Sequence, residues 1–265
     1  MSLSPISAPA LLWPDWPAPA PVRSAFTLRA GGVSAGHYAS LNLGAHVGDE
    51  PTAVTENRRR VAAELRLPAE PLWLSQVHGT TVVAADAARL AADDAMLATG
   101  HRDAAPQGDA AVTRRAGRVL AVLVADCLPV LLARRDGGAV AVAHAGWRGL
   151  AAGVIESTIA ALDASGEELL AWLGPAIGPA HFEVGDDVRE AFCRQQRQAS
   201  AAFVRNARGR WQCDLPQLAR QRLTALGVRG VHGAARCTYR EPGSFYSYRR
   251  DGATGRMAAL IWLVP

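Results

Sequence analysis

His78, Cys127 and His144 each stand where a short apolar run meets a turn. They lie in Ser75-Gln76-Val77-His78-Gly79, Ala125-Asp126-Cys127-Leu128-Pro129 and Ala143-His144-Ala145-Gly146-Trp147-Arg148-Gly149. Two imidazoles and one thiolate suit Zn²⁺, and three protein ligands leave a fourth tetrahedral position for water, as in catalytic zinc sites. A metal bound there would deprotonate the thiol and lower the pKa of its water toward ~7. Asp126, beside Cys127, is placed to orient a ligand or shuttle a proton. The same residues also fit a metal-free chemistry. Cys127 and His144 could form a nucleophile–base pair for amide hydrolysis, with Asp126 or His78 assisting. Spacing does not choose between them, because 49 residues separate His78 from Cys127 and 17 separate Cys127 from His144. Residue types are equally met by an inert core cysteine and by histidines that only close a turn. All three readings stay open at this level.

Whatever the chemistry, rigid elements must hold these side chains. Residues 1–22 are rich in Pro, Ala and Trp and read as an extended arm; residues 23–265 read as one catalytic domain. Val22 to Leu28 reads as the first strand, followed by a Gly-, Ser- and Asn-rich loop to about Gly48. Pro51 to Leu65 reads as a helix, with Pro at its start and Val54, Val61, Ala62 and Leu65 at helical spacing. Leu72–Val77 and Thr80–Ala84 read as strands flanking the His78-Gly79 turn, and residues 85–108 as a loop. Asp109–Thr113, Val119–Ala125, Pro129–Ala133 and Ala139–Ala143 are Val- and Leu-rich runs that fit buried strands. Further on, Trp147–Leu162, Val184–Gln198 and Leu215–Leu226 read as helices. Leu169–Leu173, Arg229–His232 and Met257–Val264 read as strands. This irregular alternation predicts an α+β fold of mixed sheets covered by helices, not a doubly wound Rossmann fold.

Composition excludes several chemistries. All 28 basic residues are Arg, so a lysine Schiff base, a lysine general base and a Walker-type phosphate loop are impossible. Anionic groups must be met by Arg, backbone N–H groups or a metal. The net charge of +4 comes without a long basic stripe, and Arg58-Arg59-Arg60 reads as a solvated helix face, so no nucleic-acid partner is expected. The four Cys form no C-x-x-C pair, and Pro5, Pro9, Pro14 and Pro17 interrupt any leader-like run. No 18-residue apolar stretch exists, so no membrane partner is expected either. A reducing cytoplasm with free thiols is the expected setting.

Ordered landmarks along most of the chain carry a resemblance. They are Arg29-Ala30-Gly31-Gly32-Val33-Ser34, Tyr38-Ala39-Ser40-Leu41-Asn42-Leu43-Gly44, His46-Val47-Gly48-Asp49, Asn57-Arg58, Gln76-Val77-His78-Gly79 and Gly108-Asp109-Ala110. Ala125-Asp126-Cys127-Leu128-Pro129, His144-Ala145-Gly146-Trp147-Arg148-Gly149, Gly174-Pro175-Ala176-Ile177-Gly178-Pro179, Cys237-Thr238-Tyr239 and Phe245-Tyr246-Ser247-Tyr248-Arg249-Arg250-Asp251 complete the set. From Val22 to Leu263 the sequence resembles the laccase-domain family, also described as polyphenol oxidase-like or purine nucleoside phosphorylase-like.

The resemblance implies two mixed sheets flanked by helices in an α-β-β-α layered arrangement. It implies that His78, Cys127 and His144 match zinc ligands. The activity implied is phosphorolysis of adenosine, inosine and methylthioadenosine, with adenosine deamination. With no Lys present, Arg148, Arg249 and Arg250 become the phosphate candidates, and Arg29 and Asn42 could complete the pocket. Purine nucleoside and phosphate are then the small-molecule partners of a monomer or small homo-oligomer. Two alternatives remain: a Cys- or zinc-dependent amide hydrolase acting on a peptidoglycan precursor, and a copper-dependent polyphenol oxidase. Copper ranks below zinc, because the other histidines are scattered and Met96 and Met257 are distant in sequence.

Overall fold

The computed structural model describes residues 8–87 and 105–264. Most of the expected loop over 85–108 and the first part of the N-terminal arm lie outside the described residues. The strands are β1 (Leu11–Leu12), β2 (Val22–Thr27), β3 (Val82–Ala84), β4 (Ala110–Thr113), β5 (Val119–Val124), β6 (Leu128–Arg134) and β7 (Val140–Ala145). They continue with β8 (Leu169–Leu173), β9 (Glu183–Val184), β10 (Phe203–Arg205), β11 (Trp211–Cys213), β12 (Gly230–Gly233) and β13 (Met257–Leu263). The α-helices are α1 (Pro51–Leu65), α2 (Trp147–Ala152), α3 (Val154–Leu162), α4 (Asp186–Cys193), α5 (Leu215–Ala225) and α6 (Tyr248–Asp251).

Two large sheets stack face to face. One has the order β1-β2-β13-β5 and is antiparallel throughout. The other has the order β12-β8-β6-β7-β4-β3 and is mixed, with parallel pairs at its two edges. The period-2 geometry of strands sorts the apolar runs between layers. On β13, Met257, Ala259 and Ile261 face the second sheet, while Ala258, Leu260 and Trp262 face Val61, Leu65 and Trp73 on the α1 side. On β7, Val140 and Val142 face the first sheet, while Ala141, Ala143 and Ala145 pack under α2, α3 and α5. Central strands are thus buried on both faces, which is why their sequences are continuous apolar runs. The result is the expected α-β-β-α stack in a single domain.

Three local expectations are corrected. The helix expected over 147–162 is two helices, because Gly153 takes φ +103° and its N–H closes α2 on Gly149 O and Leu150 O. Leu72–Val77 is not a strand: its backbone makes only the isolated bridges Leu72↔Leu120 and Ser75↔Gln107. The helix expected from Val184 starts at Asp186, since Glu183–Val184 pairs with β11. That pairing belongs to a third sheet, β10-β11-β9, whose strands are too short to show a period.

Candidate functional site

The chain passes from the first large sheet to the second between Val124 and Leu128, and Cys127 sits on that crossing. β6 then runs antiparallel to β7, with Pro129 opposite His144 and Leu128 opposite Ala145. This register brings the start of one strand beside the end of the other and places Cys127 next to His144. His78 arrives on the loop before β3. The neighbouring Gln76 anchors that loop: its amide nitrogen donates to Leu123 O (2.9 Å) and its amide oxygen accepts from Leu123 N (2.7 Å). Leu123 lies four residues before Cys127, so one side chain ties two of the segments together.

The three candidate ligand atoms lie within 4.8 Å of one another, and Cys127 Sγ is 3.9 Å from His78 Nε2. The imidazole rings stand 4.7 Å apart, nearly edge to face. His144 is buried, Cys127 is half-buried and His78 is exposed, so the cluster opens to solvent on one side. Gly146 closes another side. A Cβ there would lie 3.0 Å from both Cys127 Sγ and His78 Cδ2, so only glycine leaves the space free. In a tetrahedral zinc site with Zn–N near 2.0 Å and Zn–S near 2.3 Å, donor atoms are roughly 3.3–3.8 Å apart. The donor set therefore fits a metal such as zinc after a contraction of roughly 1.3 Å at its longest edge.

Charge is strongly organised. Burial pushes the Cys127 thiol up, but the imidazoles of His144 and His78 outweigh it and hold the thiol at about 6. Burial would lower His144, yet the Cys127 thiolate and the Asp109 carboxylate raise it to about 9. Asp109 is fully buried. Its Oδ1 lies 2.8 Å from His144 Nδ1 and accepts from His78 N (2.9 Å), while Oδ2 accepts from Val77 N (3.1 Å) and Gly79 N (2.7 Å).

The remaining candidates separate by what they touch. Asp126 takes φ +90°, and its carboxylate accepts from Thr238 Oγ1 (2.6 Å), Ser247 Oγ (3.0 Å) and Arg249 N (2.7 Å). Both oxygens are engaged in holding the Cys237 and Ser247 segments beside the crossing. Asn42 is buried and binds Gly44, Asp49 and Arg256 N. Arg29 donates to Ala39 O and Pro242 O and lies over the Tyr246 ring. Arg250 donates to Thr238 O, Tyr239 O and Phe245 O and pairs with Asp251. Arg249 donates to Glu183 O and lies over Phe182. Arg148, by contrast, is exposed and stacks on Trp147 at 4.4 Å.

Sequence reasoning gave no role to Asp109, Arg256 or His46. Arg256 is half-buried; burial lowers its pKa, while the charges of Cys127 and Asp126 act to raise it. Burial also lowers His46, with Arg256, Arg58 and His144 acting in the same sense. Asp109 had only the landmark Gly108-Asp109-Ala110 to mark it, and it lies 31 residues from His78 and 35 from His144 in sequence.

Residues 23–264 match the family described as multi-copper polyphenol oxidoreductase laccase. The chain belongs to this family. Relatives are similar over nearly their whole length. Purine nucleoside phosphorylase PA4543 of Pseudomonas aeruginosa is 51% identical over 255 residues, covering 96% of this chain and 98% of that protein. Purine nucleoside phosphorylase YfiH of Escherichia coli is 50% identical, covering 96% and 99%. Among solved structures, Neisseria meningitidis protein NMB0706 superposes with a TM-score of 0.87 at 49% identity, covering 96% of this chain and 99% of that one. Within this laccase-domain chain, His78, Cys127 and His144 form the one such candidate metal-holding group among the described residues. No helix among those residues is long and apolar enough to cross a membrane.

Proposed function

We propose that this chain is a zinc-dependent purine nucleoside phosphorylase acting on adenosine, inosine and methylthioadenosine, with adenosine deaminase activity. One observation carries the reading: three soft-to-borderline donors meet at a solvent-facing point in a chain that matches named purine nucleoside phosphorylases over 96% of its length. The enzyme works in the cytoplasm as a monomer or small homo-oligomer, with no nucleic-acid or membrane partner.

In phosphorolysis, a phosphate oxygen bonds to the ribose C1′ as the C1′–N9 bond breaks. The purine leaves with that electron pair and takes up a proton, and ribose 1-phosphate forms. Of the arginines expected from sequence, Arg148 is our first choice for phosphate: it is exposed, and it follows Gly146 by two residues in the chain. Arg29 and Arg250 already spend donors on carbonyls, and Asn42 is spent on a turn, so these three act as structural ties rather than as phosphate ligands. Among the described residues the Arg249 guanidinium makes one hydrogen bond, to Glu183 O, which leaves further N–H groups for an anion. In deamination, water adds at C6 of adenosine and ammonia departs. His78 and His144 hold the reacting centre in place, and Asp126 fixes the loops around it. A bound zinc ion would supply Lewis-acid polarisation at this point.

The deciding assay uses protein of defined zinc content with inosine, with and without phosphate. Ribose 1-phosphate formed only when phosphate is present supports the reading, and ammonia release from adenosine tests the second activity. Ribose released without phosphate would overturn it.

A second reading is favoured by the same geometry. Asp109, His144 and Cys127 lie in the order of an orienting acid, a base and a nucleophile, which suits hydrolysis of an amide such as one in a peptidoglycan precursor. Full activity in metal-free protein, abolished by alkylation of Cys127, would establish it. The family's description favours a third, copper-dependent polyphenol oxidation. Intense blue absorption on copper loading, together with rapid phenol turnover, would select that one.

A further inference from the structure

We infer that Asp109 is the positioning residue of the whole cluster, with one carboxylate setting both histidines. The inference rests on the reading of His78, Cys127 and His144 as a metal site, not on which substrate is used.

The geometry is specific. A carboxylate offers two oxygens with about four lone-pair directions and accepts only. Asp109 fills those directions with four nitrogen neighbours: the amides of Val77, His78 and Gly79, and His144 Nδ1. Because the carboxylate cannot donate, the contact requires a proton on His144 Nδ1. Nε2 is then the nitrogen left to bind a metal, which would take the place of any proton it carries. On the other side, His78 takes φ +62°, a conformation uncommon outside glycine. Three consecutive amides converging on one buried carboxylate hold that turn in place. The backbone adds a further tie, since His144 N donates to Asp109 O at 2.7 Å. Asp109 leads directly into β4, whose Ala110 pairs with Ala143 on β7, so the sheet fixes its position relative to His144.

Asp109→Asn tests this. The carboxamide keeps one acceptor oxygen but turns an NH₂ group toward donors, so it cannot satisfy both histidine segments. The expected result is a zinc affinity lowered by ~10–100-fold, the range seen when outer-shell partners of ligating histidines are lost. Affinity is read by chelator competition. Arg222→Ala, which breaks the ion pair of the buried Arg222 with the half-buried Glu156, is the control for destabilisation without a change in zinc affinity. Zinc affinity equal to wild type in folded Asp109→Asn would overturn the inference. Should that variant not fold, ¹⁵N-histidine NMR of the zinc-loaded wild type decides, with His144 assigned by its loss in His144→Gln. A protonated Nδ1 and a metal-shifted Nε2 support the inference, and ligation through Nδ1 overturns it. A wild type that fails to bind zinc would refute the metal reading itself, an outcome distinct from either of these.

Discussion

A side chain at residue 146 would touch Cys127: a Cβ built on Gly146 lies 3.0 Å from Cys127 Sγ and 3.0 Å from His78 Cδ2. The glycine is required by the space it leaves, since the chain enters α2 directly over two candidate ligands. Gly146→Ala is therefore expected to fold and yet disturb the cluster. Overpacking costs about 1–3 kcal/mol, and expressed as lost affinity for zinc this is roughly 5- to 150-fold. Isothermal titration with zinc checks it; unchanged affinity would mean that the cluster does not bind metal at this point.

His78→Ala, Cys127→Ala and His144→Ala should each remove metal and activity together. Loss of a ligand should exceed the ~10–100-fold effect of losing an outer partner. Zinc content measured after dialysis, alongside turnover, checks this. Normal turnover in any one of the three would break the shared-site assignment.

Thiol chemistry in the metal-free protein should follow the His144–Cys127 pair. The folded thiol is held at about 6, below its ordinary value, so the reactive thiolate is present above that pH and lost as pH falls through it. Near pH 7 about nine-tenths of Cys127 is then thiolate. Cys213, whose thiol is pushed up by burial, should remain silent. Iodoacetamide labelling followed by mass spectrometry should give a rate midpoint near 6 for Cys127. A midpoint near the ordinary thiol value of about 8.5 would contradict the pairing.

Arg148 and Arg250 should separate function from structure. Arg148→Ala should weaken phosphate-dependent turnover more than deamination, with little change in melting temperature. Equal losses in both activities would make Arg148 structural. Arg250→Ala leaves the carbonyls of Thr238, Tyr239 and Phe245 without their donor. Each unsatisfied buried group costs about 1–3 kcal/mol, so melting should fall by roughly several degrees.

The residue pattern alone determined sheets covered by helices, and the family resemblance supplied their layered order. Short, continuous Val- and Leu-rich runs bounded by turn residues fit strands buried on both faces, and Pro51 with its helical spacing marks α1 to the residue. Turn residues beside His78, Cys127 and His144 placed all three at element ends, and the missing lysine confined anion binding to arginine, backbone or metal. Tertiary structure decided which of these residues meet. The landmark Gly108-Asp109-Ala110 gives no sign of Asp109's role, because its partners are a distant turn and the end of β7, and only the fold brings them together. Asp126 reads as reactive beside Cys127, yet folding delivers Thr238 and Ser247 to its oxygens from more than 100 residues away. Local pattern encodes burial and turning because these act between neighbours in sequence. A carboxylate's role depends on which donors the fold brings to it, and those come from far along the chain.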